Sequence, residues 1–344
     1  LYPGIAVAET LKKEDPSGAV SFVGSGRGIE EEILKMEGFE HQSLSIGRLK
    51  GEGWREKIRT LFRIPSAIRE AQTILATRMP DVVFGIGGYS SGPVIIAALL
   101  KRLPRAILEP NTIPGLTNRI LGRFAQKIFI SFPETARFFP RKKVRLTGTP
   151  VREELTEIGR NRVPAAPGKL FTILVLGGSQ GATAINQAIV DLLPTFDGEK
   201  VKVIHQTGSK DFTWVKNAYD KSLMPHAVSP FIKDMAAVYR EADLVVSRAG
   251  ASTIAELIET RSPSILVPYP YAADNHQKYN ALSIVQAGGA EMVLNERMGE
   301  ILGNRILYYM ENRKYLERMK DGLSNLRKVP AAEAVAKEFL EMVR

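Results

Sequence analysis

The chain has 344 residues, 44% of them hydrophobic, which allows two domains of ordinary size with substantial cores. It contains no cysteine, which excludes disulfides and thiolate chemistry, and its four histidines are widely spaced, which argues against a dedicated zinc site. No run of about 18 uninterrupted apolar residues occurs, and the formal charge of +10 favours polyanionic partners: nucleic acid, nucleotide phosphates or anionic lipid.

The first residues, Leu1-Tyr2-Pro3-Gly4, run into a helical pattern from Ile5 to Leu11. This segment lacks the basic start and long apolar middle of a signal peptide. An α/β domain that opens on a helix reads as one whose first strand and turn are missing. Residues 20–24 then read as a strand, Gly24-Ser25-Gly26-Arg27-Gly28 as a turn, 28–36 as a short helix and 42–46 as a further strand. A lone glycine-rich turn of this kind is a weak signal for a dinucleotide.

Residues 48–70 carry seven Lys/Arg against three Glu, so the segment is strongly basic. Trp54, Ile58, Leu61, Phe62 and Ile68 recur at helical spacing among Arg48, Lys50, Arg55, Lys57, Arg59 and Arg63. Such a pattern suits adsorption to an anionic membrane surface. It equally suits a core-packing helix with a solvated basic face. Pro65 predicts a break or a second helix start.

Residues 81–84 predict a strand ending in the turn Gly85-Ile86-Gly87-Gly88-Tyr89-Ser90-Ser91-Gly92-Pro93. A helix over 94–100 and a strand over 105–108 follow. The turn from Glu109 to Gly115 precedes a helix starting at Leu116. Strands over 127–131 and 144–147 continue the alternation, which predicts a parallel sheet. Residues 162–168, with Pro164 and Pro167, form the linker candidate.

The rhythm restarts with a strand over 171–176, the turn Gly177-Gly178-Ser179-Gln180-Gly181-Ala182 and a helix over 184–192. The N–H groups of such a turn can cradle phosphate. Its glycine spacing departs from the dinucleotide fingerprint, and the Lys-Ser/Thr of a P-loop is absent. A strand over 201–206 ends in His205-Gln206, 228–232 reads as strand or loop, and a helix follows over 234–241. His205, at a strand end, reads as structural.

Residues 242–281 organise the second half. Leu244, Val245 and Val246 predict a buried parallel strand that ends in the small-residue turn Ser247-Arg248-Ala249-Gly250. A helix begins near Ser252, a strand covers 264–268, and a further helix carries Asn275 to Asn280. Glu256 has two readings. It closes a capping box with Thr253, or it accepts from a ribose diol while the helix start faces a diphosphate. A strand over 291–294 and helices over about 299–327 and 331–344 complete the chain.

Four motifs in order carry a resemblance. They are Gly115-Leu116-Thr117-Asn118, Gly177 to Ala182, Arg248-Ala249-Gly250-Ala251-Ser252-Thr253, and Asp274-Asn275-His276-Gln277 with Asn280-Ala281. Together they resemble glycosyltransferase family 28, in particular the N-acetylglucosamine transferases of bacterial peptidoglycan synthesis, through nearly the whole chain. The resemblance implies a GT-B fold: two Rossmann-like α/β domains whose parallel sheets face each other across a cleft. The domains would be 1–161, binding acceptor and membrane, and 162–330, binding UDP-GlcNAc, with a C-terminal helix over 331–344 packing back on the first. It implies inverting transfer of GlcNAc from UDP-GlcNAc to the MurNAc 4-hydroxyl of lipid I, forming lipid II. Work at the cytoplasmic face of the bacterial cell membrane would follow, with an anionic membrane surface as partner and no nucleic acid.

By matched position, Glu256 would hold the ribose and the main chain of Ile232 would read uracil. Ser179 and the helix start from Ala251 through Ser252 to Thr253 would meet the diphosphate region, and Ile254 and Ala255 would belong to the substrate-binding residues. Gln277 would contact the sugar hydroxyls, and Asn111 and Arg152 would complete the donor site. The basic segment with Trp54, Arg55, Ile58, Arg59, Leu61, Phe62 and Arg63 matches the family's membrane patch. No metal and no cofactor is expected, since no Asp-x-Asp motif occurs. Family members carry a glycine-rich loop and a candidate base histidine before the position of Leu1, which leaves the catalytic base unassigned. Where the family commonly has His-Glu-Gln-Asn, this chain has Leu108-Glu109-Pro110-Asn111, so one N–H donor is lost.

Other readings stay open at this level. His276 is a surface residue or a catalytic one. Arg152 pairs with a carboxylate or touches ligand. Tyr89 and Ser90 line the acceptor side or pack the loop. The rival functions are a UDP-GlcNAc 2-epimerase or another GT-B sugar-nucleotide enzyme, and a non-catalytic basic binder of membrane or nucleic acid.

Overall fold

A computed structural model describes residues 1–24, 28–44, 54–88, 90–161, 168–178, 181–326 and 329–343, with side chains for these except 28, 29 and 54–63. The chain divides into two compact units, Leu1–Arg152 with Val329–Arg344, and Glu153–Lys328.

The first unit contains α1 (Tyr2–Glu14), β1 (Ser21–Gly24), α2 (Gly28–Met36), β2 (Glu40–Ser43), α3 (Trp54–Arg78), β3 (Val83–Gly85), α4 (Ser91–Leu100), β4 (Arg105–Glu109), α5 (Leu116–Leu121), β5 (Lys127–Ile130) and β6 (Val144–Leu146). Strands β3 to β6 form a parallel sheet in chain order, and β1 pairs in parallel with β2 as a separate ladder. Strands β4 and β5 bury Ala106, Ile107, Leu108, Ile128 and Phe129 completely, as expected of parallel strands covered on both faces. Residues of β1, β3 and α1, among them Phe22, Phe84 and Val7, line a cavity of about 520 Å³ together with the polar Glu30, His41 and Arg78.

Pro65 does not break α3, contrary to the sequence expectation. A proline inside a helix removes one N–H bond. Here the residues beyond it are anchored by burial: Ala67, Ala71 and Leu75 are buried, and Ala71 and Leu75 share a core with Ile95 of α4. Ile68, counted above in the amphipathic pattern, packs against that same core. The side chains of Trp54, Arg55, Ile58, Arg59, Leu61, Phe62 and Arg63 lie outside the described residues.

The second unit contains α6 (Glu153–Arg160), β7 (Phe171–Leu176), α7 (Thr183–Leu192), β8 (Val201–Gln206), α8 (Phe212–Asp220), β9 (His226–Ser229), α9 (Met235–Glu241), β10 (Leu244–Ser247), α10 (Ala251–Thr260), β11 (Ser264–Leu266), α11 (His276–Gln286), β12 (Ala290–Met292), α12 (Met298–Glu311) and α13 (Lys314–Leu326). The strand order is β12-β11-β10-β7-β8-β9, all parallel. Connections run outward on both sides from β7, so the order reverses between β7 and β10. In open α/β sheets, ligands bind beyond the carboxyl ends of the strands at this reversal. Ile173, Val175, Val203, Leu244, Val246 and Ile265 are fully buried at the centre of the sheet.

Two helices go unread in the sequence, α6 and α8. In α6, Leu155 and Ile158 supply the apolar stripe, and in α8 it is Val215 and Tyr219. The α6 stripe has only two large apolar residues, too few for a periodic signal, whereas α8 adds the half-buried Phe212 and Trp214, so its stripe stands in the sequence. Helix α6 packs on α9 and α10, so the second unit begins before the proline-rich stretch.

The last helix, α14 (Ala331–Val343), returns to the first unit. Val335 and Phe339 bury against Val7, Leu108 and Phe129. The Phe339 ring meets Phe84 edge-on at 5.0 Å between centroids. Glu338 adds ion pairs to Lys127 and Arg145. Among the described residues, no helix is long and apolar enough to cross a membrane.

Candidate functional site

The reversal point of the second unit is built from two strand ends. After Leu176 at the end of β7, Gly177 and Gly178 begin the turn, and Gly181 leads into α7. Gly178 and Gly181 have φ of +76° and +77°, which L side chains rarely adopt. A Cβ at Gly181 would lie 2.5 Å from the Thr207 carbonyl oxygen, so the turn there packs backbone against backbone. Ser179 and Gln180, within this turn, lie outside the described residues.

At the neighbouring strand end, β10 closes at Ser247 and α10 starts at Ala251 with Gly250 as its N-cap and no side-chain cap. The N–H groups of Ala251, Ser252 and Thr253 therefore lack intrahelical partners, and the helix presents partial positive charge there. This overturns the capping-box reading. Thr253 is the third residue of the helix rather than its cap, because the small residues Ala249 and Gly250 let the helix begin earlier.

The turn before α10 is held from behind. Arg248 donates to the carbonyls of Val267 and Pro268, at 3.2 and 3.3 Å, and to Asn295 Oδ1 at 2.9 Å. Burial lowers the pKa of this guanidinium. Asn280, fully buried on α11, donates to the Ala249 carbonyl at 3.3 Å. Both residues lie in motifs singled out in the sequence, and both brace the turn.

Glu256 is half-buried, in the second turn of α10. Its Oε2 accepts the hydroxyl proton of Tyr239 at 2.9 Å. Tyr239 is fully buried, and burial followed by the nearby carboxylate raises its pKa well above the usual phenol value. Ile232 lies in the loop between β9 and α9, and its N–H donates to Gln206 Oε1 at 2.9 Å. Gln277, second residue of α11, accepts through Oε1 from the Tyr269 N–H at 3.0 Å. The preceding Asp274 and Asn275 hold left-handed backbone, with φ of 51° and 53°. His276 donates from Nδ1 to the Ala273 carbonyl at 2.7 Å. His205 is fully buried between Tyr219 and Asn186, as its structural reading expects.

In the first unit, Asn111 follows the end of β4. Its backbone N–H and its Nδ2 donate to Glu109 Oε1 at 3.0 and 3.2 Å. Glu109 is 1% exposed, and its Oε2 takes further bonds from Gly115 N and Asn118 Nδ2, at 3.2 and 2.9 Å. Burial pushes this carboxyl up, against the opposite pull of those donors. Arg152 stacks its guanidinium over the Tyr2 ring at 5.1 Å. Gly87 and Gly88 take φ of +91° and +83°, and Ser91 Oγ donates to the Gly87 carbonyl at 2.6 Å. Tyr89 lies outside the described residues.

Thus Ala251 to Thr253 and Glu256 follow β10 at the reversal, Ile232 follows the edge strand β9 and bonds to Gln206 at the end of β8, and Gln277 follows β11. Asn111 and Arg152 belong to the other unit. Sequence reasoning missed Glu109, Gln206 and Tyr239 as organising groups. Gln206, at a strand's carboxyl end, offered a positional signal, whereas Tyr239 offered none.

The N-terminal domain of glycosyltransferase family 28 matches residues 1–130, and the C-terminal domain of that family matches residues 172–335. A protein of Thermodesulfovibrio yellowstonii is 41% identical over 332 residues, covering 93% of this chain and 89% of its own. It is named UDP-N-acetylglucosamine--N-acetylmuramyl-(pentapeptide) pyrophosphoryl-undecaprenol N-acetylglucosamine transferase. A protein of the same name from Syntrophus aciditrophicus is 39% identical, covering 100% of this chain and 96% of its own. Among solved structures, Acinetobacter baumannii MurG superposes with a TM-score of 0.76 at 28% identity, over 99% of this chain and 95% of that one. A Neisseria meningitidis UDP-GlcNAc 2-epimerase reaches a TM-score of 0.66 at 14% identity, over 99% and 96% of the two chains, a likeness of fold alone.

Proposed function

This chain belongs to glycosyltransferase family 28, and from that premise we propose that it transfers N-acetylglucosamine from UDP-GlcNAc to the undecaprenyl-pyrophosphoryl-MurNAc-pentapeptide acceptor, lipid I. The acceptor 4-hydroxyl gives its proton to a general base and attacks the anomeric carbon, the bond from that carbon to the diphosphate oxygen breaks, and UDP departs with inversion. The relatives named for this reaction match along nearly their whole length, which supports it over the epimerase and the non-catalytic binder.

The observation that carries the site assignment is the uncapped start of α10, beside the reversal in strand order, with Glu256 in its second turn. The N–H groups at 251–253 meet the diphosphate and stabilise the charge that develops on the leaving oxygen. Ser179, next in the chain after Gly178, is assigned to the same diphosphate by its place in the sequence motif. Glu256 accepts from the ribose diol. Ile232 offers its main chain to uracil, and Gln277 faces the sugar hydroxyls. In the other unit, Asn111 and Arg152 contribute polar contacts to the substrates. The basic segment at 48–63 docks on anionic lipid, which brings the enzyme to its lipid-linked acceptor at the cytoplasmic face of the cell membrane.

Calorimetry with UDP and UDP-GlcNAc, followed by a transfer assay with a lipid I analogue, tests this reading. Binding of both nucleotides with acceptor-dependent release of UDP is expected. Folded protein without nucleotide affinity overturns it, and turnover of UDP-GlcNAc without acceptor favours an epimerase.

A further inference from the structure

We propose that Tyr239 is a positioning residue for the nucleotide site: its buried hydroxyl fixes the carboxylate of Glu256 in the orientation that receives the ribose diol. This rests on the ribose reading of Glu256 given above. Tyr239 lies on α9 and is fully buried, while Glu256 lies on α10 and is half-buried, so the bond of 2.9 Å joins a core side chain to one at the ligand edge. A buried phenol holds such a bond firmly, because leaving the hydroxyl unpaired is costly. The carboxylate keeps its capacity for a ligand, since its two oxygens offer about four lone-pair positions.

Position along the chain gives Tyr239 a second consequence. Helix α9 starts just after Ile232, and the Asp234 side chain caps it by accepting from the Ala237 N–H at 2.8 Å. One short helix therefore carries the base-reading loop at its start and the anchor of the ribose-binding carboxylate within it. Uracil and ribose contacts are registered to each other through α9, across two segments that the sheet alone does not connect.

The test compares Tyr239→Phe, Glu256→Ala, Glu256→Gln and Tyr239→Phe/Glu256→Ala by calorimetry with UDP and with 2′,3′-dideoxy-UDP. Thermal melts establish that each variant is folded. Tyr239→Phe is expected to weaken UDP by about 5- to 10-fold, the worth of one hydrogen-bonded orientation, and to leave dideoxy-UDP binding as in the unaltered protein. In the Glu256→Ala background the same change adds nothing, as a coupled pair requires. Glu256→Gln is expected to weaken UDP clearly, because the Tyr239 hydroxyl holds the amide oxygen and turns the amide nitrogen to the diol, whose hydroxyl protons then lack their acceptor. Unaltered UDP affinity in Tyr239→Phe, with a large loss in Glu256→Ala, overturns the positioning role and leaves the ribose reading intact. Unaltered affinity in Glu256→Ala overturns the ribose reading itself. Should Tyr239→Phe not fold, full UDP affinity in Glu256→Gln overturns the positioning role and loss in that variant upholds it.

Discussion

Asn118 donates through Nδ2 to the carboxylate of Glu109 at 2.9 Å, beneath the turn that carries Asn111. The same carboxylate accepts from the N–H groups of Asn111 and Gly115 and from Asn111 Nδ2, so these contacts all run toward it. Glu109→Gln places an amide nitrogen against donors. It is expected to cost about 2 kcal/mol, the scale of hydrogen bonds to a buried charge, and to slow transfer because Asn111 loses its anchor. Urea unfolding measures the first effect, and an unchanged midpoint contradicts the account.

Glu256→Ala is expected to raise the Kd for UDP-GlcNAc by roughly 10-fold or more, since charge-assisted bonds to the ribose are lost. The variant should be less stable, because the buried Tyr239 hydroxyl loses its acceptor, so a thermal melt first establishes that it is folded. Direct titration of the folded variant decides the matter, and donor affinity equal to that of the unaltered protein refutes the assignment.

The two positive-φ glycines of the β7 turn should respond differently to alanine. At Gly178 nothing lies within 4 Å of an added Cβ, so only backbone strain counts, roughly 1–2 kcal/mol. At Gly181 the added carbon meets the Thr207 carbonyl at 2.5 Å, and a loss on the order of 3 kcal/mol or more is expected. Equal melting temperatures for Gly178→Ala and Gly181→Ala contradict the packing argument.

His205 gives a pH dependence with a definite sign. Burial lowers its pKa from the usual 6.5 to about 3. Asn186 Nδ2 donates to Thr207 and Asp211, so its Oδ1 accepts from His205 Nε2–H, and His205 Nδ1 accepts from the Tyr219 hydroxyl. The ring is thus neutral when folded, and below about pH 6.5 the unfolded chain binds a proton that the folded one does not. Stability from this residue is complete above that value. It falls by about 1.4 kcal/mol per pH unit as pH drops toward the folded pKa. Unfolding at pH 7 and pH 5 should show this slope in the unaltered protein and a shallower one in His205→Gln. Parallel slopes in the two proteins remove the assignment.

Membrane docking is expected to depend on charge in the basic segment. Arg55→Glu/Arg59→Glu/Arg63→Glu should reduce co-sedimentation with phosphatidylglycerol vesicles by about 100-fold, at about 1 kcal/mol per basic residue removed. Binding to phosphatidylcholine vesicles should be weak for both proteins. Undiminished binding of the variant to anionic vesicles argues for the core-packing reading of that helix.

The legible and illegible parts of this protein divide along particular residues. The parallel α/β rhythm, the turn at Gly177-Gly178 and the helix after Gly250 stand in the sequence, because turn chemistry and apolar runs are local properties. The resemblance to family 28 rested on those same turns. Helix α6 was silent because it presents only a two-residue stripe, whereas the stripe of α8, Phe212, Val215 and Tyr219, was there to be read. Pro65 misled because a rule about one missing N–H knows nothing of the burial of Ala67, Ala71 and Leu75. The capping-box pattern at Thr253 misled for a related reason: where a helix begins depends on how closely the preceding turn packs.

What the sequence determined by itself is the set of local parts: strands, glycine turns, helix starts, and the polar residues placed just beyond them. Only the tertiary structure decided that β10 lies beside β7, which brings two turns far apart in the chain to one reversal point. It alone made Tyr239 the partner of Glu256 and buried Glu109 under the Asn111 turn. The reason is physical. Which donor meets which acceptor across distant segments is fixed by the order in which strands pair and helices pack, and that order minimises buried unpaired polar groups over a whole unit rather than within any one stretch.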